Sequence, residues 1–327
     1  MLYIVRRRPV VNSSYHRLAY FHFHLHLHLG PTHRQSYNGK FTMVKHLPPT
    51  VKQLLTLRNP QPRAAPRSSR LNAVLTTTYQ DAKAKKAEKG WLTLATCTLL
   101  TANAPPAIGH LYRFATRDEP DNASSRRGLP EALDKAALMR ESALKSCIFV
   151  GVPRTILSLA NLHEAIEDDV KAGLRKAPSP KRAATPENVE TIVARGRGLW
   201  ATIYEPHAEK LYNKLGGYHP DFIEFIIQAY GTVLAPLPGG DAEQGNLSRA
   251  LGSVVGTACL RAEGGVGPQL VSHVFGLLKA RHVQGLSAED YWLASDEGTE
   301  WVVRTVDSIL DVVKPELGDG TAAQAKL

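Results

Sequence analysis

From residue 91 to residue 313, apolar positions recur every three or four residues, the spacing that lines one face of an α-helix. Residues 91–101 form an apolar helix, stopped by Asn103, Pro105 and Pro106. The next helix carries Ile108, Leu111, Tyr112 and Phe114 at helical spacing. Pro130 sits where a first-turn proline belongs, and Leu133, Ala137, Leu138, Leu144, Cys147 and Ile148 line one broad face after it. Gly151-Val152-Pro153 breaks that helix and opens another through Ile156, Leu159, Ala160, His163 and Ile166.

Residues 177–181 (Ala-Pro-Ser-Pro-Lys) read as a linker between two halves. Thr185-Pro186 reads as an N-cap with a first-turn proline, and helices run to Tyr204 and, after Pro206, to Leu215. His219-Pro220 starts another, which ends at Gly231; Ser248 caps one that runs through Leu260. Gly264 to Pro268 is a tight turn into a helix carrying His273, and Ser287 to Asp290 resembles a capping box with Asp where Glu or Gln is usual. Trp301, Val302, Val306, Ile309, Leu310 and Val313 close the pattern. No segment after residue 90 reads as a strand hairpin, so the expected class is all-α.

Charge changes the picture at the N-terminus. The chain carries +10, yet residues 1–90 hold 16 Lys and Arg against only Asp81 and Glu88, a net +14. Residues 91–327 hold 24 basic and 28 acidic residues, a net −4. The excess belongs to an arm, which excludes a uniformly basic nucleic-acid-binding domain. Residues 1–90 are expected to be a basic, Pro- and His-rich disordered arm, with a short helix around residues 71–89. Within it, His22, His24, His26 and His28 alternate with apolar residues. That is either a metal-binding strand face or a low-complexity stretch upstream of a start at Met43. The second is preferred, because nothing nearby would pair such a strand. The other expected segments are a first helical unit at 91–177, a second at 185–313 and a flexible tail at 314–327.

Cys97, Cys147 and Cys259 are far apart in sequence and form no C-x-x-C pair, so neither a disulfide framework nor a structural zinc site is expected. No apolar run approaches the ~20 residues of a membrane span. No cofactor, nucleic-acid or membrane partner is expected.

Two segments share a plan. Residues 140–156 run Arg-led apolar helix, Gly151-Val152-Pro153, second apolar helix. Residues 249–280 repeat it, with Gly264 to Pro268 as the turn and Gln269 and His273 beyond. This hairpin resembles the carboxymuconolactone decarboxylase and alkylhydroperoxidase D-like (AhpD-like) family, in particular its divergent fungal branch with two fused units. The resemblance covers about residues 91–313 and implies an AhpD-like helical bundle that forms homo-oligomers. Redox members of the family place a Glu on the first helix of the hairpin and a C-x-x-C-x-x-x-H run at the second. Here His273 falls on the histidine, but Val266 and Gln269 stand at the cysteine positions and Val254 at the glutamate. In the first unit Glu141 falls on the glutamate, while Pro153, Ile156 and Ala160 replace the rest. A dithiol cycle therefore has no thiols to run on.

The resemblance then implies acid–base chemistry on a small carbonyl or carboxylate substrate. His273 is the candidate proton carrier, expected to titrate near neutrality, and Gln269, one turn earlier, is placed to orient it. Glu141 is a further candidate. For each the plainer reading stays open: a satisfied core histidine, and a helix-surface or interface carboxylate. His110 is a weaker candidate. His163 with Glu164 and Glu167 would make half a metal site, or an ordinary helix surface, and Cys147 reads as a small core residue. Gly264-Gly265-Val266-Gly267 follows no strand, so it reads as a tight turn and not as a nucleotide loop. A non-catalytic oligomeric module is the rival function. The end Ala325-Lys326-Leu327 is a conservative variant of the Ser-Lys-Leu peroxisomal address, which implies the peroxisomal import receptor as a partner. The Arg-rich arm makes mitochondrial import the alternative.

Overall fold

The computed structural model describes residues 46–58 and 65–314. The histidine tract, Met43 and the terminal tripeptide Ala325-Lys326-Leu327 lie outside them. Among the described residues there are fourteen α-helices and no strand, so the chain is all-α. The described residues fall into two units, 46–58 and 65–314. In the first, α1 (Pro49–Arg58) exposes Leu54, Leu55 and Leu57.

The second unit is organised around one helix. α2 (Ser68–Ala84) leads into α3 (Glu88–Thr101), which is buried from Gly90 to Thr101. A helix apolar on every side must be enclosed by others. α3 meets that need with α4 (Pro105–Thr116), α5 (Leu129–Val150), α11 (Arg249–Glu263) and α14 (Asp296–Val313) packed around it. Three of its four threonines tolerate burial because Thr96, Thr98 and Thr101 each donate to the carbonyl four residues back at 2.7 Å.

The remaining helices are α6 (Val152–Ala165), α7 (Asp168–Gly173), α8 (Val189–Tyr204), α9 (Ala208–Tyr218), α10 (Pro220–Ala229), α12 (Gly267–Lys279) and α13 (Ala288–Leu293). α10 runs on into a π-helical turn, Tyr230–Leu234. A smaller apolar cluster joins α8, α10 and this turn through Leu199, Trp200, Ile203, Ile223, Ile227 and Leu234. Phe149 of α5 packs against both clusters.

The two hairpins are built alike. α5 ends at Gly151 (φ 84°, ψ 165°) and α11 at Gly264 (φ 74°, ψ 163°), a backbone region that favours glycine. Pro153 and Pro268 each stand second in the helix that follows. The second turn is two residues longer, so His273, seventh in α12, matches Ser158, seventh in α6, and not Ala160 as expected.

Several boundaries differ from the expectation. The arm does not extend to residue 90: Leu71, Leu75 and Ala82 of α2 are buried in the same core as α3. Of the nearby lysines, Lys83, Lys86 and Lys89 are exposed, while Lys85 is half-buried and pairs with Glu297 at 3.1 Å. Residues 177–181 do not divide two domains, since one core spans residues of α2 to α7 and of α11 to α14. Ser179 in that segment is itself buried. Thr185 does not cap α8, which starts at Val189; Thr185 instead donates its N–H to Asn188 Oδ1 at 2.8 Å. Ser287 does cap α13, but Asp290 does not reach back to it. Asp290 Oδ1 takes the hydroxyl of Ser248 at 2.7 Å and so ties the starts of α11 and α13 together.

Candidate functional site

His273 is 3% exposed and sits where α12 meets α5, α8, α11 and the π-turn. Its Nε2 lies 3.4 Å from the hydroxyl of Tyr204 (α8) and 3.4 Å from that of Tyr230 (π-turn). The two hydroxyls are 3.1 Å apart. Phe149 meets the imidazole edge-on, with ring centroids 5.0 Å apart. On the remaining side a Cβ at Gly256 would stand 2.6 Å from His273 Nδ1, so this position of α11 must stay bare for the ring to fit.

Burial, then the charge of Arg249, holds the His273 pKa down at about 4. That overturns the expected titration near neutrality: at physiological pH the ring is neutral. Burial also raises the pKa of Tyr204 and of Tyr230, so both keep their protons. Arg249 is itself largely withdrawn from water and its pKa falls to about 10. It donates to Ser253 Oγ, to Gly276 O at 3.2 Å and to Thr202 Oγ1 at 3.4 Å. No carboxylate pairs with it among the described residues. Arg249, Ser253 and His273 share a cavity of about 10 Å³, room for one water.

Tyr204 also lines a groove of about 540 Å³ with Ile203, Pro206, Leu211 and Phe275. Lys210 and Lys214 stand on its rim, and Lys279 is tied to the carbonyls of Ile203 and Glu205 at 2.7 and 2.6 Å. Tyr204 is thus the one side chain that both lines the groove and approaches His273 Nε2 among the described residues.

The other sequence candidates lie elsewhere. Gln269 is exposed near the start of α12 and makes no hydrogen bond to His273, so the orienting role expected of it is not seen. Glu141 is buried, contrary to a surface carboxylate, and belongs to a separate ionic cluster. Arg182 grips both its oxygens, and Lys145 Nζ lies 3.5 Å from Oε1. Lys145 is 0% exposed, and its ammonium donates to the carbonyls of Val233, Leu234 and Ala235 at 2.8, 2.8 and 3.0 Å. These are the orphan acceptors at the end of the π-turn, so the lysine caps it. Burial lowers the Lys145 pKa to about 8, against the opposing pull of Glu141.

His110 is buried with Nε2 2.6 Å from Asn72 Oδ1, as a satisfied core histidine would be. His163 is exposed, while Glu167 is engaged by Tyr112 at 2.7 Å and Arg117 at 3.0 Å. Among the described residues no group of three or more His, Cys, Asp or Glu is placed to hold a metal ion, and no helix is long and apolar enough to cross a membrane. Cys97 and Cys259, distant in sequence, meet in the core, where burial raises the Cys97 pKa and the Ser146 hydroxyl donates to its sulfur at 3.3 Å.

Tyr204, Tyr230, Arg249 and Lys145 were not singled out in the sequence. Tyr204 and Tyr230 stand 69 and 43 residues from His273, and no local spacing links them to it. The signal available was the spacing of Glu141 and Lys145, four residues apart and so on one face of α5. Compared with family models, with curated proteins and with solved structures, the chain matches none.

Proposed function

We propose that this chain is a carboxymuconolactone decarboxylase-like (AhpD-like) protein that performs acid–base chemistry on a small carbonyl or carboxylate substrate, without a dithiol cycle. The observation that carries the reading is the convergence of His273 Nε2 with two tyrosine hydroxyls, one of them on Tyr204, which also lines an open groove. The repeated Gly–Pro hairpins support the family.

The groove takes the substrate, with Lys210 and Lys214 drawing an acid towards it. Tyr204 spans the wall. As a carbon acid or hydroxyl of the substrate gives up its proton to the Tyr204 oxygen, the tyrosine proton moves to the neutral His273 Nε2. Arg249 opposes the imidazolium that forms. A substrate carboxylate offsets that charge and so couples proton acceptance to the presence of an anionic substrate.

A second reading, a non-catalytic oligomeric module, is favoured by one observation: the cavity at His273 has room for only about 10 Å³. Solvent-deuterium exchange separates the two. The chain is incubated in D2O with a panel of small 2-oxo, 3-oxo and lactone acids, and deuterium uptake and CO2 loss are followed by NMR. The enzyme reading expects exchange with at least one acid, lost in His273→Gln and slowed ten- to a hundredfold in Tyr204→Phe, with unchanged circular dichroism. No exchange by the wild type across the panel would leave the module.

A further inference from the structure

A second groove, of about 790 Å³, lies along α6 and α7 and is not used by the chemistry above. Its volume falls in the range that holds small organic ligands. Leu159, Ile166 and Leu174 give it an apolar wall, and the last two are buried. Arg140 of α5 and Arg175, two residues past α7, line it beside Lys171 and Lys176.

The charges there do not balance. Asp168 is the one carboxylate among the described lining residues, and its side chain is fully exposed and turned to Lys171 at 3.3 Å. Glu141, next to Arg140 in the chain, is taken by Arg182 and Lys145. Among the described residues Arg140 makes a single hydrogen bond, a long one of 3.4 Å, to the carbonyl of Arg175. Arg175 donates to Ala177 O at 3.0 Å. Neither guanidinium has a salt bridge to a carboxylate among the described residues, although the Arg175 charge is felt by Glu243, which Lys181 holds at 2.7 Å. Burial and, after it, the nearby Arg175 charge lower the Arg140 pKa. Two like charges beside an apolar wall repel, and an anion between them removes that repulsion. A guanidinium fork matches the oxygens of a carboxylate or a phosphate.

We propose that this groove binds an organic anion with an apolar body, its carboxylate or phosphate head between Arg140 and Arg175 and its body along Leu159 and Ile166. Isothermal titration calorimetry of the full chain with octanoate, octyl phosphate and inorganic phosphate tests it. The expected result is one-to-one binding of octanoate or octyl phosphate, weakened tenfold or more in Arg140→Gln and in Arg175→Gln. Inorganic phosphate should bind at least tenfold more weakly than the better alkyl anion, and the preferred alkyl anion identifies the head group. Arg175→Gln, at a position outside any helix, serves if Arg140→Gln does not fold. The proposal is overturned if neither alkyl anion binds, if the folded variants bind like the wild type, or if inorganic phosphate binds as tightly as both.

Discussion

Gly196 of α8 and Gly231 of the π-turn touch backbone to backbone. A Cβ on Gly196 would stand 2.0 Å from the carbonyl oxygen of Ile227, and a Cβ on Gly231 would stand 2.0 Å from that of Ile192. This contact brings the two helical segments close enough for Tyr204 and Tyr230 to place their hydroxyls 3.1 Å apart before His273. Because the obstructing atoms are backbone, neither can swing aside. Gly196→Ala and Gly231→Ala should each cost about 3 kcal/mol, the upper end of overpacking effects, read from urea unfolding. Both should also disturb the near-ultraviolet circular dichroism of the tyrosines.

His273 sets a pH signature. Its folded pKa of about 4 lies below the ordinary 6.5 of an unfolded histidine. The unfolded chain therefore binds the proton first as pH falls. Stability is fully present above pH 6.5 and is lost progressively down to about pH 4, by up to roughly 3 kcal/mol. The difference in unfolding free energy between wild type and His273→Gln should show this slope. A flat difference across the window would mean that His273 titrates like a solvated residue. Direct NMR titration of the ring should give a midpoint near 4.

Lys145 should behave in the opposite pH range. Its folded pKa of about 8 lies below the ordinary 10.5, so folding favours the neutral amine. The stability this group gives is complete above pH 10.5 and is lost as pH falls to about 8. Lys145→Met should remove that slope. It should also cost on the order of 3 kcal/mol at neutral pH, since three carbonyls at the end of the π-turn and Glu141 lose their donor. Urea unfolding at pH 7, 8 and 9.5 measures both effects.

Thiol chemistry offers a fourth check. Cys97 and Cys259 are fully buried, and Cys147 is partly exposed. An aromatic disulfide reagent should titrate one thiol in the native chain, at Cys147, and three after denaturation. Rapid native reaction of two or more would mean that the α3–α11 contact opens readily.

Much of the helical architecture was legible because it is local. Prolines at residues 105, 130, 153, 220 and 268 each open a helix, as their fixed φ and missing N–H predict. The run from Trp91 to Thr101, free of charged residues, marked an apolar helix. α2 carried its own signal, with Leu71, Leu75, Thr78 and Ala82 at helical spacing, but the lysines and prolines around it read as arm. The site was less legible. His273 could be marked from its place after the Gly–Pro turn, whereas Tyr204 and Tyr230 reach it only through the crossing of α8 and the π-turn. Nothing local in residues 230–234 distinguishes a π-turn from an ordinary helix end. Its stabiliser, Lys145, sits some 90 residues upstream.

The enclosure of α3 also bears on how the chain is made. The helix is complete at Thr101, but two of its walls, α11 and α14, begin only at Arg249 and Asp296. At translation rates of about 5–20 residues per second, roughly ten to forty seconds separate the emergence of α3 from that of its last wall. During that interval the nascent chain presents an apolar helix that α4 and α5 cover on part of its surface only. Such a chain is a natural client for holding chaperones at the ribosome. Its yield in a cell should depend on them far more than the finished protein's unfolding free energy would indicate.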